Sequence, residues 1–291
     1  MSRLYCLNAG KADCFLIELT CEDGLKYILM DGGSREKPVV DVTAWLKKLG
    51  VKKIDCMILT HLHQDHLGYL DNVAEAVQVD KAILPYPPVP LTEKEISGIQ
   101  DKERVEDIRA YNRLWNILVK KGCSVETTLP LTAVPYQYGK YELRCLFPFP
   151  DTASNVYAML CRLQRESPKR IKTMYDSVRT LFNKDSSIWL LKEEERPLLL
   201  LCGDGVHSAL AAAIGGYGMK VPIIKLSHHG RNDKGNLYYQ ADFINGLEPE
   251  KIIVTIDTES AAPFLEAWQQ IRSEAELIVT GRYEEVKIVE L

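Results

Sequence analysis

Short apolar runs recur along the chain and end abruptly in polar residues. Leu4 to Leu7, Cys14 to Thr20 and Lys26 to Met30 alternate or run apolar around tight turns, which predicts three antiparallel strands. From Pro38 to Leu49 the spacing changes. Val39, Val40, Val42, Trp45, Leu46 and Leu49 recur at helical intervals until Gly50 stops the pattern. Ile54 to Thr60 then reads as a buried strand, Tyr69 to Val77 as a helix, and Ala82 to Pro85 as a strand. Further on, Ile188 to Leu191 and Leu198 to Cys202 form a hairpin around a charged turn, and Val221 to Leu226 is a strand. Lys251 to Ile256, Phe264 to Arg272, Glu276 to Val279 and Val286 to Val289 close the chain as strand, helix and two strands. This alternation predicts an α/β sandwich with helices outside.

Two stretches stand out as helical additions. Thr92 to Lys121 opens with a capping box, Thr92 with Glu95, and spaces Ile96, Ile99, Val105, Ile108, Leu114 and Ile117 to bury one face. Val156 to Phe182 is helical and basic; across residues 162 to 184 seven lysines and arginines face only Glu166 and Asp176. A charge run is usually a solvated face, but Arg165, Lys169 and Arg170 are candidates for binding phosphates. Only Tyr157, Tyr175 and Phe182 interleave, too few to suggest base stacking. No linker or repeat divides the chain, so one domain over residues 1–291 is expected, with additions at about 92–121 and 156–182.

The net charge of −4 excludes a whole-chain attraction to nucleic acid or anionic membrane. The eight cysteines are scattered without a Cys-x-x-Cys pair, and reduced core residues are expected. Near the N-terminus polar residues interrupt any signal-like run, and no apolar run approaches the ~18 residues of a membrane helix, so a cytoplasmic protein without a membrane partner is expected.

The chemistry lies at the strand tips. After the run ending in Thr60 come His61, His63, Asp65 and His66. Two apart in extended backbone, His61 and His63 face the same side; Asp65 and His66 follow a bend and can face a second point nearby. Asp204 follows four consecutive leucines, where an unpaired charge would cost several kcal/mol unless a cation or donors met it. A third tip carries Ser227-His228-His229-Gly230. Imidazole and carboxylate are ligands for zinc, iron or manganese, and a metal pair can clamp the attacking and leaving oxygens of a hydrolysis.

His-x-His-x-Asp-His is the signature of the metallo-β-lactamase superfamily, which this chain resembles. Asn8 to Asp13 is similar to that family's Gly-x-Gly-Asp turn, with Ala12 at the second glycine, and Asp31-Gly32-Gly33 to its Asp-Gly-Gly turn. The resemblance implies a four-layer αββα sandwich, here with two helical insertions, and two divalent metal ions, zinc or manganese. The implied ligands are His61, His63, Asp65, His66, Asp204 as a bridge, and one of His228 and His229, the other touching substrate. Asp31 would support a ligand histidine from behind.

Most relatives supply one more histidine between His66 and Asp204, where this chain has none; Asn183 or Asp185 could substitute, or the first metal is weakly held. Asn183, Ser186-Ser187, Gly203-Asp204 and the His-His tip together resemble the hydrolase domain of ComEC-type DNA-uptake proteins and their free-standing relatives. Ala261-Ala262-Pro263 stands where those relatives carry a Gly-His-Pro-like turn.

The implied activity is that of a phosphodiesterase or nuclease using a metal-bound hydroxide. Asp65 would orient the nucleophile, and His228 or His229, with Arg231 or Lys225, would stabilise the leaving oxygen. The same ligands would also suit hydrolysis of an ester, thioester, lactone or lactam. A third alternative is a partner-binding protein whose metal site is not catalytic.

Overall fold

The computed structural model describes residues 1–35, 39–97, 99, 102–128, 134–148, 156–214, 218–231 and 241–291, excluding the side chains of 102–104, 168, 169, 207, 208, 211, 212 and 241–243. The first sheet begins with an antiparallel meander of β1 (Arg3–Leu7), β2 (Phe15–Cys21) and β3 (Gly24–Met30). It continues in parallel through β4 (Lys53–Ile58), β5 (Gln78–Leu84) and β6 (Ser124–Thr127). The second sheet repeats the plan. β7 (Tyr136–Tyr138), β8 (Tyr141–Phe147), β9 (Ile188–Glu193) and β10 (Arg196–Leu201) are antiparallel, and β11 (Ile223–Lys225), β12 (Lys251–Val254) and β13 (Glu276–Val279) extend it in parallel. The last strand, β14 (Val286–Glu290), returns to the first sheet beside β1.

Strand alternation sorts the core into three layers. Ile17, Ile28, Ile58, Trp189, Leu201 and Ile253 fill the space between the sheets. Their sequence neighbours point outward: Leu16, Leu29 and Met57 on the first sheet, Leu190, Leu200 and Ile252 on the second. On the first sheet the outward layer packs under α1 (Val42–Leu49), the one-turn α2 (Gln64–Leu67), α3 (Leu70–Ala76), α4 (Glu93–Ser97), α5 (Lys102–Lys120), α6 (Val156–Arg162) and α7 (Pro168–Arg179). On the second it meets α8 (His207–Ile214), α9 (Ala241–Gly246), α10 (Thr258–Ala261) and α11 (Leu265–Ile271). The architecture is the αββα sandwich, and both helical additions lie on the first sheet.

The structure differs from expectation in detail. The helix expected from Pro38 starts at Val42, where the Asp41 side chain accepts from Ala44 N at 3.0 Å as an N-cap; Pro38 lies outside the described residues. The capping box of Thr92 and Glu95 is present, with Thr92 N donating to Glu95 Oε2 at 2.7 Å. Strands β6, β7 and β8 had no counterpart in the sequence analysis, although Tyr141, Leu143 and Cys145 alternate with Glu142 and Arg144. The cysteines form no disulfide among the described residues, and no described helix is long and apolar enough to cross a membrane.

In each sheet the parallel half ends at the same edge of the sandwich. There β3 and β4 align Met30 with Ile58, and β10 to β12 align Leu201, Lys225 and Ile253. The tips beyond these residues face one another across the sheets, the usual place for ligands in parallel α/β sheets.

Candidate metal centre

Past Ile58 the chain is held by Asp31, which accepts from Thr60 N and from Thr60 Oγ1, both at 2.8 Å. His61 and Leu62 lie in a bend rather than in the expected extended backbone, His63 is extended, and α2 then turns Asp65 and His66 toward the second sheet. Gly68 closes this turn at φ 28°, and a Cβ there would collide with the carbonyl oxygens of Gly32 and Gly33.

His61 Nε2 and His63 Nδ1 stand 2.9 Å apart. The tautomer of His63 follows from its other nitrogen: Nε2–H donates to the Arg179 carbonyl at 3.1 Å, leaving the Nδ1 lone pair toward His61. The edge-on ring of Phe182, 5.4 Å away, packs against His63. His61 Nδ1 lies 3.1 Å from Thr60 Oγ1 and 3.3 Å from Ser186 Oγ.

His66 and His229 are held from behind in the same manner. His66 Nδ1–H donates to Asp31 Oδ2 at 2.7 Å. His229 Nδ1–H donates to Thr255 Oγ1 at 2.9 Å, and that hydroxyl donates to Asp13 Oδ1 at 2.5 Å. Each Nε2 then points forward: His66 Nε2 to Asp204 Oδ1 at 3.2 Å, His229 Nε2 to Asp65 Oδ2 at 3.3 Å and Asp204 Oδ2 at 3.9 Å. His61 Nε2 and His228 Nε2 also approach Asp204 Oδ2, at 3.9 and 3.7 Å. The carboxylate of Asp204 thus lies between the two sets, its own N–H fixed by Ser186 Oγ at 2.9 Å. His228 and His229 adopt φ of 50° and 54°, left-handed values that cost a non-glycine residue about 1–3 kcal/mol each. The strained turn aims two adjacent rings at one edge of the sandwich, with His229 buried and His228 partly exposed.

Does a cation fit? His66 Nε2 and Asp204 Oδ1 are both buried and lack a hydrogen-bond partner. They stand 3.2 Å apart without a hydrogen bond between them, so their charges meet but their ligand lone pairs stay open to a cation. Around zinc at bonds of ~2.0–2.1 Å, tetrahedral ligand atoms would stand about 3.4 Å apart. The separations of 2.9 to 3.9 Å across the site bracket that spacing. Ligand atoms of His61, His66 and Asp204 all lie within 4.8 Å of one another. Asp13, His66 and His229 also cluster, but Asp13 meets the two rings at their Nδ1 atoms, at 3.8 and 3.3 Å, behind the forward-facing nitrogens.

Electrostatics divides the histidines. Burial, with neighbouring His66 and His63, holds His61 well below its ordinary value, and burial pushes His63 down to about 4. Burial opposes charge on His66 too, but Asp204, Asp31 and Asp13 outweigh it and hold that ring well above the ordinary value. His229 is raised to about 9 against burial by Asp204, Asp13 and Asp65. The carboxylates of Asp65 and Asp204 are depressed in turn, despite burial, by the histidines they face.

A cleft of about 970 Å³ opens on Asp65, lined also by Lys11, Ser34, Gln64, Arg179 and Asp257. Lys11 and Arg179 supply its cations. The basic residues singled out in the sequence lie elsewhere: Arg165 is exposed, Arg170 pairs with Glu166 at 3.2 Å, and the Arg231 guanidinium stacks over Phe264 at 4.7 Å. None of these three lines the cleft, and the side chain of Lys169 lies outside the described residues. Asn183 is buried, and Asp185 accepts from the Tyr86 hydroxyl at 2.5 Å. The expected role of Lys225 at a leaving oxygen does not hold, because its ammonium is fully buried between Asp13 and the Gly203 carbonyl. Asp13, Thr255 and the Arg179 carbonyl were not predicted as parts of the site. Asp13 carried a faint signal as the last polar residue before an apolar strand, whereas a backbone carbonyl carries none.

Residues 7–122 match the family model of the metallo-beta-lactamase superfamily. No curated protein sequence matches the chain. Among solved structures, the chain is similar to Igni18, a metallo hydrolase from Ignicoccus hospitalis, at 14% identity and a TM-score of 0.53, covering 99% of both chains. It is similar to the metallo-beta-lactamase fold protein YhfI from Bacillus subtilis at 9% identity and a TM-score of 0.54, again covering 99% of both. A mutant of the CmlA beta-hydroxylase matches at 13% identity and a TM-score of 0.54 over all of this chain, which spans 54% of that one. These likenesses concern the fold. The segment that matches the superfamily model carries His61, His63, Asp65 and His66, and the likeness to that superfamily rests on it.

Proposed function

We propose that the chain is a metal-dependent phosphodiesterase. The observation that carries the hydrolase reading is the convergence of two histidine sets on Asp204, with the buried, unpartnered His66 Nε2 and Asp204 Oδ1 aimed at each other. His61 Nε2, His63 Nδ1 and Asp204 would hold one divalent ion, zinc or manganese, and Asp65, His66, His229 and Asp204 a second. Ions held there supply Lewis acidity, lowering the pKa of a coordinated water toward ~7 and offsetting charge on a phosphoryl group.

The chain's own groups do the rest. Asp65, at the mouth of the cleft, accepts a hydrogen bond from the attacking water and orients it. His228, partly exposed beside Asp204, donates to the leaving oxygen. Lys11 and Arg179 line the cleft beside Asp65, Asp257 and Glu259, and are the cations there that a phosphodiester would meet. The ComEC-type likeness read from the sequence supports a phosphodiester substrate and extends it to nucleic acid.

The test is hydrolysis of bis(p-nitrophenyl) phosphate and of labelled single-stranded DNA, duplex DNA and RNA by protein loaded with zinc or manganese, beside His63→Ala. Cleavage that needs both metal and His63, and that falls at least tenfold in Arg179→Glu, is expected. Metal-loaded protein that ignores every phosphodiester but opens thioesters or lactones would overturn the substrate class.

A further inference from the structure

Beneath the centre lies an ion pair that the proposed chemistry does not use. Lys225 sits on the inner face of β11, in line with Ile223 of the intersheet core, and both it and Asp13 are almost wholly buried. Lys225 Nζ donates to the Gly203 carbonyl at 2.8 Å, contacts Asp13 Oδ2, and lies 3.8 Å from Asp204 Oδ1. Asp13 reaches further. Its N–H donates to the Asp65 carbonyl at 3.0 Å and its own carbonyl accepts from Gly33 N at 2.8 Å. Its carboxylate accepts from Thr255 and lies 3.3 Å from His229 Nδ1 and 3.8 Å from His66 Nδ1.

Two residues thereby touch all four members of one half of the centre: Asp65, His66, Asp204 and His229. A buried ion pair is a poor stabiliser compared with apolar side chains of similar volume. It does fix direction, because an ammonium aims at its acceptors and a carboxylate at its donors. Lys225 holds the Gly203–Asp204 tip of the second sheet while Asp13 holds the α2 turn and the His229 ring, so the pair fastens the sheets together beneath the site.

We infer that Asp13 and Lys225 are a positioning pair whose task is to set the geometry of the half-site formed by Asp65, His66, Asp204 and His229, rather than to stabilise the fold. This rests on the metal-binding part of the proposed function but not on the identity of the substrate. Partners that orient metal ligands typically account for 10–100-fold in metal affinity, and a loss of that size is expected here.

The experiment compares Asp13→Asn, Lys225→Met and the double variant D13N/K225M with the wild type. It measures cobalt(II) affinity and visible absorption, together with thermal unfolding of the metal-free proteins. Each single variant leaves a buried charge unpaired and is expected to unfold at a lower temperature. The double variant is neutral again and is expected to regain most of that thermal stability, yet to bind cobalt at least tenfold more weakly with an altered spectrum. A double variant with wild-type affinity and spectrum would overturn the inference, as would a single variant that retains both. If the single variants do not fold, the double variant decides. A wild type that binds no cobalt would instead overturn the proposed function.

Discussion

The two halves of the centre share Asp204 but are built differently. Asp65, His66 and His229 are locked by side chains on inner strands and turns: Asp31 behind His66, Thr255 and Asp13 behind His229. His61 is backed by Thr60, itself held by Asp31, and by Ser186, while His63 is backed by a backbone carbonyl at the end of α7 and by the ring of Phe182. On the proposed assignment one half would present four protein ligands and the other three. Structural metal sites fill every position with protein groups, while catalytic ones keep a position open. On the proposed assignment the absence of a further histidine would amount to a division of labour, the four-ligand half holding its ion and the three-ligand half leaving room for substrate.

The largest effect is expected where the halves meet. Asp204→Asn removes the carboxylate that approaches His61 as well as His66, His228 and His229, and leaves His66 and His229 with less compensation. Losing one partner of a buried charged group costs about 3–5 kcal/mol of fold stability. Metal analysis by atomic emission and turnover of bis(p-nitrophenyl) phosphate should both collapse. A variant that keeps one full equivalent of metal would show that the halves do not depend on a shared carboxylate.

Proton linkage separates the halves next. In metal-free protein His229 titrates at about 9, above the unfolded value near 6.5, so its charged form contributes stability that is fully present below pH ~6.5 and lost as pH rises through about 9. His63 has the opposite sign. Held down at about 4, it is neutral in the fold, and stability is lost as pH falls from ~6.5 toward 4. Thermal unfolding in EDTA should therefore be most favourable near pH 6.5, with an alkaline decline worth up to about 3 kcal/mol. Zinc, which needs the neutral imidazole of His229, should abolish the alkaline decline. An unchanged alkaline limb in zinc would place His229 outside the metal centre.

A more direct contrast comes from His229→Ala and His63→Ala. The first should remove the tightly held ion and the second only the weaker one. Isothermal titration with zinc should show two events of unequal affinity in the wild type, with a different one missing in each variant. Equal losses would break the distinction between a closed and an open half.

Much of this arrangement was visible along the chain, and the reason is physical. His61, His63, Asp65, His66, Asp204, His228 and His229 each follow an apolar strand, and a polar cluster at such an end is conspicuous against its background. The layered fold was legible for the same reason. What the pattern could not convey is support that crosses between distant segments. Lys225 occurs within an apolar run and Asp13 within a turn, and only the pairing of the two sheets brings them together. The basic helix misled in the other direction: seven cations stood out, yet among the described side chains of that stretch only Arg179 lines the cleft, because helix direction and not charge density decides which side chain reaches it.

The smallest effect tests how the second insertion serves the open half. Phe182 is fully buried and meets His63 edge-on, while Arg179, three residues earlier, fixes the same ring through its carbonyl. Phe182→Leu keeps most of the volume, so the fold should lose less than about 1.5 kcal/mol. The edge-on aromatic contact is worth about 0.5–1.5 kcal/mol, so zinc affinity at the three-ligand half should fall roughly fivefold. The four-ligand half touches neither Phe182 nor the Arg179 carbonyl, and its affinity should stay within a factor of two. If both affinities fall together, the insertion braces the whole centre through Asp204 and the two halves are one mechanical unit. If only the weaker one falls, the insertion has become the support for the metal position at which this chain lacks a histidine.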